Sequence, residues 1–242
     1  MPPSSASLTD RFRRELDALG LRGTGAHVLV ALSGGMDSVT LLHLLRFAAD
    51  DGALRVSAAH FDHAMRPGSD ADARWVAGLC RAWGVPLRSA RADSAPTSEA
   101  EARDARYRFL RAAQADVGAT HLATAHHADD QAETVLFRVL RGTGLRGLAG
   151  IPAADGTGLV RPLLPFWRAE LRAYARAAGL RWRTDPSNAG LDPARNRLRH
   201  RVLPQAERVA PGARRALVRL AALARDDEAA WEPVLAPLAA EA

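Results

Sequence analysis

Hydrophobic and polar positions switch between two periods along the chain. Leu8, Phe12, Leu16 and Leu19 recur at helical spacing and predict an amphipathic helix over residues 8–20, ended by Gly20, Gly23 and Gly25. Residues 27–32 form a short apolar run rich in branched side chains, which predicts a buried strand. A serine-glycine stretch follows, and then Val39, Leu41, Leu42, Leu44 and Leu45 predict a helix. The order repeats with a strand over 55–61, a turn at Pro67 and Gly68, and a helix over 69–83. Next come a weaker strand over 86–91, a strongly charged helix over 97–117, a strand over 121–125 and a helix over 129–141. Residues 142–167 are rich in glycine and proline and read as a loop-rich return with one short strand near Leu159 and Val160. A helix over 168–178, a basic stretch with a proline-asparagine turn over 182–199, and an alanine-rich helical tail from Gly212 complete the chain; Pro233 and Pro237 are expected to stop that tail. Strands alternating with helices predict an α/β fold, a doubly wound, mostly parallel sheet covered on both faces, with a C-terminal helical extension.

Composition narrows the class. The chain has 242 residues, of which 48% are hydrophobic and 25% charged, enough to bury a large core without staples. Cys80 is the only cysteine, which excludes an internal disulfide, a four-thiolate zinc site and chemistry that needs a cysteine pair. No apolar run is long enough to span a bilayer, and the first residues carry neither a basic region nor an apolar core, so a cytoplasmic location and no membrane partner are expected. The net charge of +6 fits a polyanionic partner. All 33 basic residues are arginine, a bias that accompanies the abundance of alanine. A chain without lysine has no Walker-type phosphate loop, because that loop needs its lysine.

A different phosphate loop is present. Ser33-Gly34-Gly35-Met36-Asp37-Ser38 lies between a predicted strand and a predicted helix, and open parallel sheets bind ligands beyond the carboxyl ends of their strands. Paired glycines let an anion approach the backbone, the amides of a helix start point at it, and the Ser33 and Ser38 hydroxyls can donate to it. A carboxylate beside phosphates is repulsive. Asp37 is therefore either a helix cap or a ligand of a bridging magnesium ion, and the two glycines flanked by serines favour the ion.

Two further clusters carry chemistry. In Ala125-His126-His127-Ala128-Asp129-Asp130-Gln131-Ala132-Glu133-Thr134, helical spacing puts His126, Asp130 and Glu133 on one face. Carboxylates paired there need a cation or a proton between them, which suggests a second magnesium ligand and an acid-base group. An acidic helix start that offsets the helix dipole accounts for Asp129 or Asp130 alone. The third cluster, Asp185-Pro186-Ser187-Asn188 with Arg195-Asn196-Arg197-Leu198-Arg199-His200-Arg201, could grip RNA phosphates or form a solvated basic face.

The glycine loop resembles the signature of the N-type ATP pyrophosphatases, or PP-loop ATPases, whose fold is adenine nucleotide alpha hydrolase-like. The ordered set of motifs resembles the tRNA(Ile)-lysidine synthetases from about residue 27 to about residue 204. It adds His63-Ala64-Met65-Arg66, Glu101-Ala102-Arg103-Asp104-Ala105-Arg106-Tyr107, Arg141-Gly142-Thr143-Gly144-Leu145-Arg146-Gly147-Leu148 and Arg161-Pro162-Leu163-Leu164. The resemblance implies a ligase that adenylates the C2 oxygen of the wobble cytidine in the CAU anticodon of isoleucine tRNA. Free lysine then displaces AMP, with ATP as substrate and magnesium as cofactor. It implies ATP binding by Ser33, Gly34, Gly35, Met36, Asp37 and Ser38, with Asp37 and Asp130 as metal or catalytic carboxylates. His126 and Glu133 would place the base, ATP or lysine. His63 and Arg66 would line the nucleotide site, and Arg106 would contact phosphate or RNA. One of Arg195, Arg197 and Arg199 is expected to face the site, and Arg197 is chosen. Residues 1–204 are expected to be the catalytic domain and 205–242 a helical linker or extension, with the family's usual C-terminal tRNA-binding domain absent; a homodimer is a further expectation. A tRNA thiolase sharing the adenylation step, and a nucleotide- or RNA-binding module without chemistry, are the competing readings; the lone Cys80 opposes the first, and Asp130 with Glu133 opposes the second.

Overall fold

β1 (His27–Ala31) is the strand around which the sheet is built, and Val28, Leu29 and Val30 are fully buried, as a run apolar on both faces requires. The structure, a computed structural model, describes residues 5–49, 52–64, 68–183 and 193–240. Arg66 and the Asp185–Asn188 turn of the sequence reading lie outside those residues. β2 (Arg55–Asp62) and β3 (Leu87–Arg91) extend the sheet on one side of β1, and β4 (His121–Ala123) and β5 (Leu159–Val160) on the other. The order is β3-β2-β1-β4-β5 and every pairing is parallel, with Val28 opposite Val56 and Leu29 opposite Leu122. The sheet is thus doubly wound as the alternation predicts. The chain moves outward from β1 to β3, then returns to the far side of β1, which leaves a switch point between the carboxyl ends of β1 and β4.

Alternate side chains along β1 divide the layers. Val28 and Val30, with Ala58, Ala123 and Val160, face α1 (Ser5–Ala18), α2 (Met36–His43), α3 (Ser69–Trp83) and α7 (Arg168–Ala177). Phe12, Leu16, Leu41, Leu42, Val76 and Leu171 fill that layer. A wider π-helical turn, Leu44–Ala48, prolongs α2. Leu29, with Ala59, Leu122 and Leu159, faces the opposite way, against Leu110 and Ala113 of α4 (Glu99–Asp116). The start of α4 is held by two bonds: the cap Ser98 Oγ accepts from Glu101 N at 3.2 Å, and Glu101 Oε2 accepts from the preceding Thr97 N at 2.7 Å.

By density of contacts the chain divides into two compact units, the described parts of Met1–His126 with Ala153–Leu191, and of His127–Pro152 with Asp192–Ala242. The sheet belongs to the first. The second is helical: α5 (Ala128–Leu140), α6 (Leu145–Leu148), α8 (Pro193–Arg197), a π-helical turn at Leu198–Val202, α9 (Leu203–Val209) and α10 (Ala213–Ala240). α10 packs on α5 and α6, burying Ala221 and Ala224, and Arg225 Nη1 donates to the Ala149 carbonyl at 2.7 Å. Pro233 and Pro237 do not stop α10, contrary to the sequence expectation. Each proline removes one backbone donor, and the alanine-rich surroundings sustain the remaining ladder. Cys80 is buried on α3, and burial pushes its thiol up to about 11. No helix among the described residues is long and apolar enough to cross a membrane.

Four histidines of the first unit carry a pH signature. Burial lowers the pKa of His27, His43, His63 and His121, with Arg55 adding to the effect on His27 and Arg106 to that on His63. A base with a lowered folded-state pKa binds fewer protons folded than unfolded, so stability is lost as pH falls below the ordinary histidine value of about 6.5. The thermal midpoint is expected to drop between about pH 7.5 and about pH 5.5, before carboxylates begin to titrate. A midpoint that holds or rises over that interval would contradict this assignment.

Candidate active site

The loop after β1 is braced by its own serines. Ser38 Oγ donates to the Gly35 carbonyl at 3.0 Å, while it accepts from the Ser33 amide at 3.2 Å and lies 3.0 Å from Ser33 Oγ. Ser33 Oγ in turn accepts from the Gly35 amide at 3.3 Å. Gly34 has φ +85°, and a Cβ there would stand 3.1 Å from Val76 Cγ2. Glycine is therefore required by conformation and by space. Gly35 is extended and caps α2, and Met36 is the buried first residue of that helix. The loop lies at the sheet's switch point, with α2 starting against it, the arrangement that concentrates amide dipoles on an anion.

Asp37 sits in the first turn of α2, and its Oδ2 lies 3.5 Å from Arg168 Nε at the start of α7. Arg168 had no sequence signal beyond opening a predicted helix. His126 precedes α5 rather than riding on it, so the four-residue spacing to Asp130 is not a helical one; its Nδ1 lies 2.9 Å from Thr124 Oγ1, just beyond β4. His63 follows β2 in a loop held by buried Asp62, which accepts from the Ala64 amide at 2.9 Å and from Ser69 Oγ at 2.9 Å. Arg106 on α4 is close enough to His63 for its charge to oppose protonation of the imidazole. These two predicted residues, distant in sequence, are thus neighbours.

The acidic helix is arranged within the second unit. Asp130 Oδ2 accepts from the His127 amide at 3.0 Å, and His127 Nδ1 lies 3.4 Å from the same oxygen. Arg199 grips Glu133 through two bonds, Nε to Oε1 at 2.6 Å and Nη2 to Oε2 at 2.8 Å, and Nη2 reaches Asp130 Oδ1 at 3.3 Å. Asp130 and Glu133 therefore do share a face, and Arg199 is the cation between them. Asp129 points instead to Arg214 of α10, with Oδ1 2.9 Å from Nη1. Arg197 is exposed, as is Arg195. The sequence could not single out Arg199, because the π-helical turn Leu198–Val202 breaks the rotation per residue by which a helical face is read.

The donor chemistry bears on magnesium. Asp37 offers hard carboxylate oxygen beside a phosphate loop, which suits an ion taking one or two carboxylates together with phosphate oxygens. Asp130 offers the same oxygen chemistry, shared with its helix cap and Arg199. Among the described residues, no three histidine, cysteine or acidic side chains converge as a metal cage.

Comparison with known proteins agrees with this geometry. A family model described as a PP-loop domain matches residues 8–206. The chain is 44% identical over 205 residues to a tRNA(Ile)-lysidine synthase of Gloeobacter violaceus, covering 83% of this chain and 62% of the relative. It is 46% identical over 213 residues to a tRNA(Ile)-lysidine synthase of Pseudomonas fluorescens, covering 84% and 46%. For that of Solibacter usitatus the identity is 43% over 221 residues, covering 90% and 50%. The chain spans about half the length of the curated relatives it matches. Among solved structures it resembles the U34-tRNA thiolase NcsA of Methanococcus maripaludis, with TM-score 0.75, 17% identity, and coverage of 91% and 78%. It also resembles the NH3-dependent NAD synthetase of Campylobacter jejuni, with TM-score 0.52, 14% identity, and coverage of 96% and 96%. These last two are likenesses of fold.

The loop geometry makes its two glycines unequal. Gly34→Ala is expected to lower stability by about 1–2 kcal/mol from its left-handed backbone alone, read as a lower midpoint in thermal melts. Gly35→Ala, whose Cβ meets only Ser33 Oγ at 3.4 Å, is expected to cost less. Equal losses would contradict the conformational argument.

Proposed function

The chain belongs to the PP-loop domain family, and from that premise we propose that it ligates free lysine to C2 of the wobble cytidine of isoleucine tRNA bearing a CAU anticodon. The observation that carries the proposal is the self-braced serine-glycine loop at the switch point, followed by the Asp130–Glu133–Arg199 group; similarity to lysidine synthases over most of this chain supports it. The C2 oxygen of cytidine is a poor leaving group. Its attack on the α-phosphorus of ATP forms a C2–O–AMP bond and releases pyrophosphate. An amino group of lysine then attacks C2, loses its proton to a base, and AMP departs with the oxygen.

The proposed roles are these. Residues 33–38 cradle the phosphates through backbone amides and the two serine hydroxyls. Asp37 and Asp130 are each proposed as a magnesium ligand, and magnesium would offset charge on the phosphates. His126 and Glu133 place the base, ATP or lysine; His63 and Arg66 line the nucleotide site. Arg199 takes the part expected of Arg197, since it meets Asp130 and Glu133. Residues 1–204 would form the catalytic domain with 205–242 as a helical extension, and a cytoplasmic homodimer belongs to the same proposal. Sulfur transfer finds little support, because Cys80 is buried and its thiol is raised to about 11.

Incubation with ATP, lysine and the tRNA is expected to release pyrophosphate and to increase the mass of one anticodon nucleoside by lysine less water. Asp37→Ala is expected to slow both by roughly 100-fold or more with the fold intact. An unmodified anticodon, or pyrophosphate release indifferent to RNA and lysine, would refute the proposal.

A further inference from the structure

Two guanidiniums stand over one ring, with a third nearby, on the side of the sheet away from α2. Arg103 lies 4.8 Å and Arg106 5.8 Å from the centroid of the half-buried Tyr107 ring. Arg161, the residue just past β5, is buried at 7% exposure. Tyr107 and Asp155 lie near enough to favour its charge, and Arg103 near enough to oppose it. His63 adjoins the group, and among the described residues its buried Nδ1 has no hydrogen-bond partner.

Their place in the fold is informative. α4 runs back from the end of β3 to the start of β4, so its first turns, which carry Arg103, Arg106 and Tyr107, stand at the carboxyl ends of the strands. α2 packs on one face of the sheet and α4 on the other. The triphosphate loop and the arginine group therefore flank the same crevice from opposite faces. Like charges held this close repel one another, and an anion among them relieves that repulsion. Asp155 offsets part of it at Arg161, and Glu99 part of it at Arg106. A guanidinium stacked on a ring keeps its in-plane N–H groups for phosphate oxygens. A positive groove with an aromatic side chain is also the usual way to hold a single nucleic-acid strand.

We infer that Arg103, Arg106 and Arg161, arranged around Tyr107, form a second phosphate site that holds the sugar–phosphate strand of the RNA substrate, separate from the loop that holds the triphosphate. This rests on the proposed reaction for the identity of the RNA, and it adds Arg103, Tyr107 and Arg161 to the functional residues.

The test is binding without turnover, on the full chain. A labelled anticodon stem-loop RNA is titrated by fluorescence anisotropy, and a non-hydrolysable ATP analogue by calorimetry, for wild type, Arg103→Gln, Arg161→Gln and Arg161→Lys. Each glutamine variant is expected to weaken RNA binding roughly tenfold and to reduce the salt dependence by about one unit of log–log slope. ATP-analogue binding is expected to stay within about twofold, and Arg161→Lys to recover part of the RNA affinity. Thermal melts identify unfolded variants; if Arg161→Gln does not fold, the exposed Arg103→Gln carries the test. Unchanged RNA affinity in folded variants overturns the inference, and so does an equal weakening of ATP analogue and RNA. A wild type that shows this arginine dependence yet forms no lysidine refutes the proposed reaction and supports the site. One that forms lysidine while both glutamine variants bind RNA normally overturns the site alone.

Discussion

The chain leaves β1 through a single left-handed residue, Gly34, and much of the rest depends on that turn. Because φ is +85° there, the backbone folds back far enough for Ser33 and Ser38 to hydrogen-bond across it and for α2 to start against the strand. The turn is usable only because β1 is rigid, with Val28 and Val30 packed toward one helical layer and Leu29 toward the other. Parallel pairing on both sides then sets the carboxyl end of β4 beside the loop. The proposed phosphate site thus rests on backbone geometry, in a chain that has no lysine to supply a point charge.

Charge is arranged by the same economy. Guanidinium forks meet paired acceptors, as where Arg199 holds both oxygens of Glu133 and reaches Asp130. That pairing answers the repulsion of two carboxylates on one helix face, and it gives the buried Glu133 a cationic partner. Arg214 does the same for Asp129 from α10, so the tail helix is tied to the acidic helix by charge as well as by packing.

Much of this was legible in the sequence, and the gaps have physical causes. Short runs of branched residues marked β1 and β2, and helical periodicity marked α1, because each burial pattern repeats within a few residues. The strand–loop–helix context of residues 33–38 pointed to a ligand site beyond the carboxyl end of a strand. What involved long-range pairing was not legible: Arg168 beside Asp37, Arg214 beside Asp129, and Arg161 near Tyr107 join segments far apart in the chain. Arg199 was hidden for a local reason, the π-helical turn that rotates the basic segment out of helical register. His126 was placed on a helix by spacing, whereas α5 begins at Ala128 and His126 turns back to Thr124. The prolines of α10 misled because a breaker's cost is local while the helix around it is cooperative.

The central claim is that the base is activated at its own oxygen by the nucleotide held in the loop. An anticodon stem-loop carrying oxygen-18 at C2 of the wobble cytidine tests it directly, by mass analysis of the AMP released with ATP and lysine present. The account predicts that the label leaves the RNA and appears in AMP, one atom for each lysine joined. AMP without the label, or label retained in the modified RNA, would contradict it.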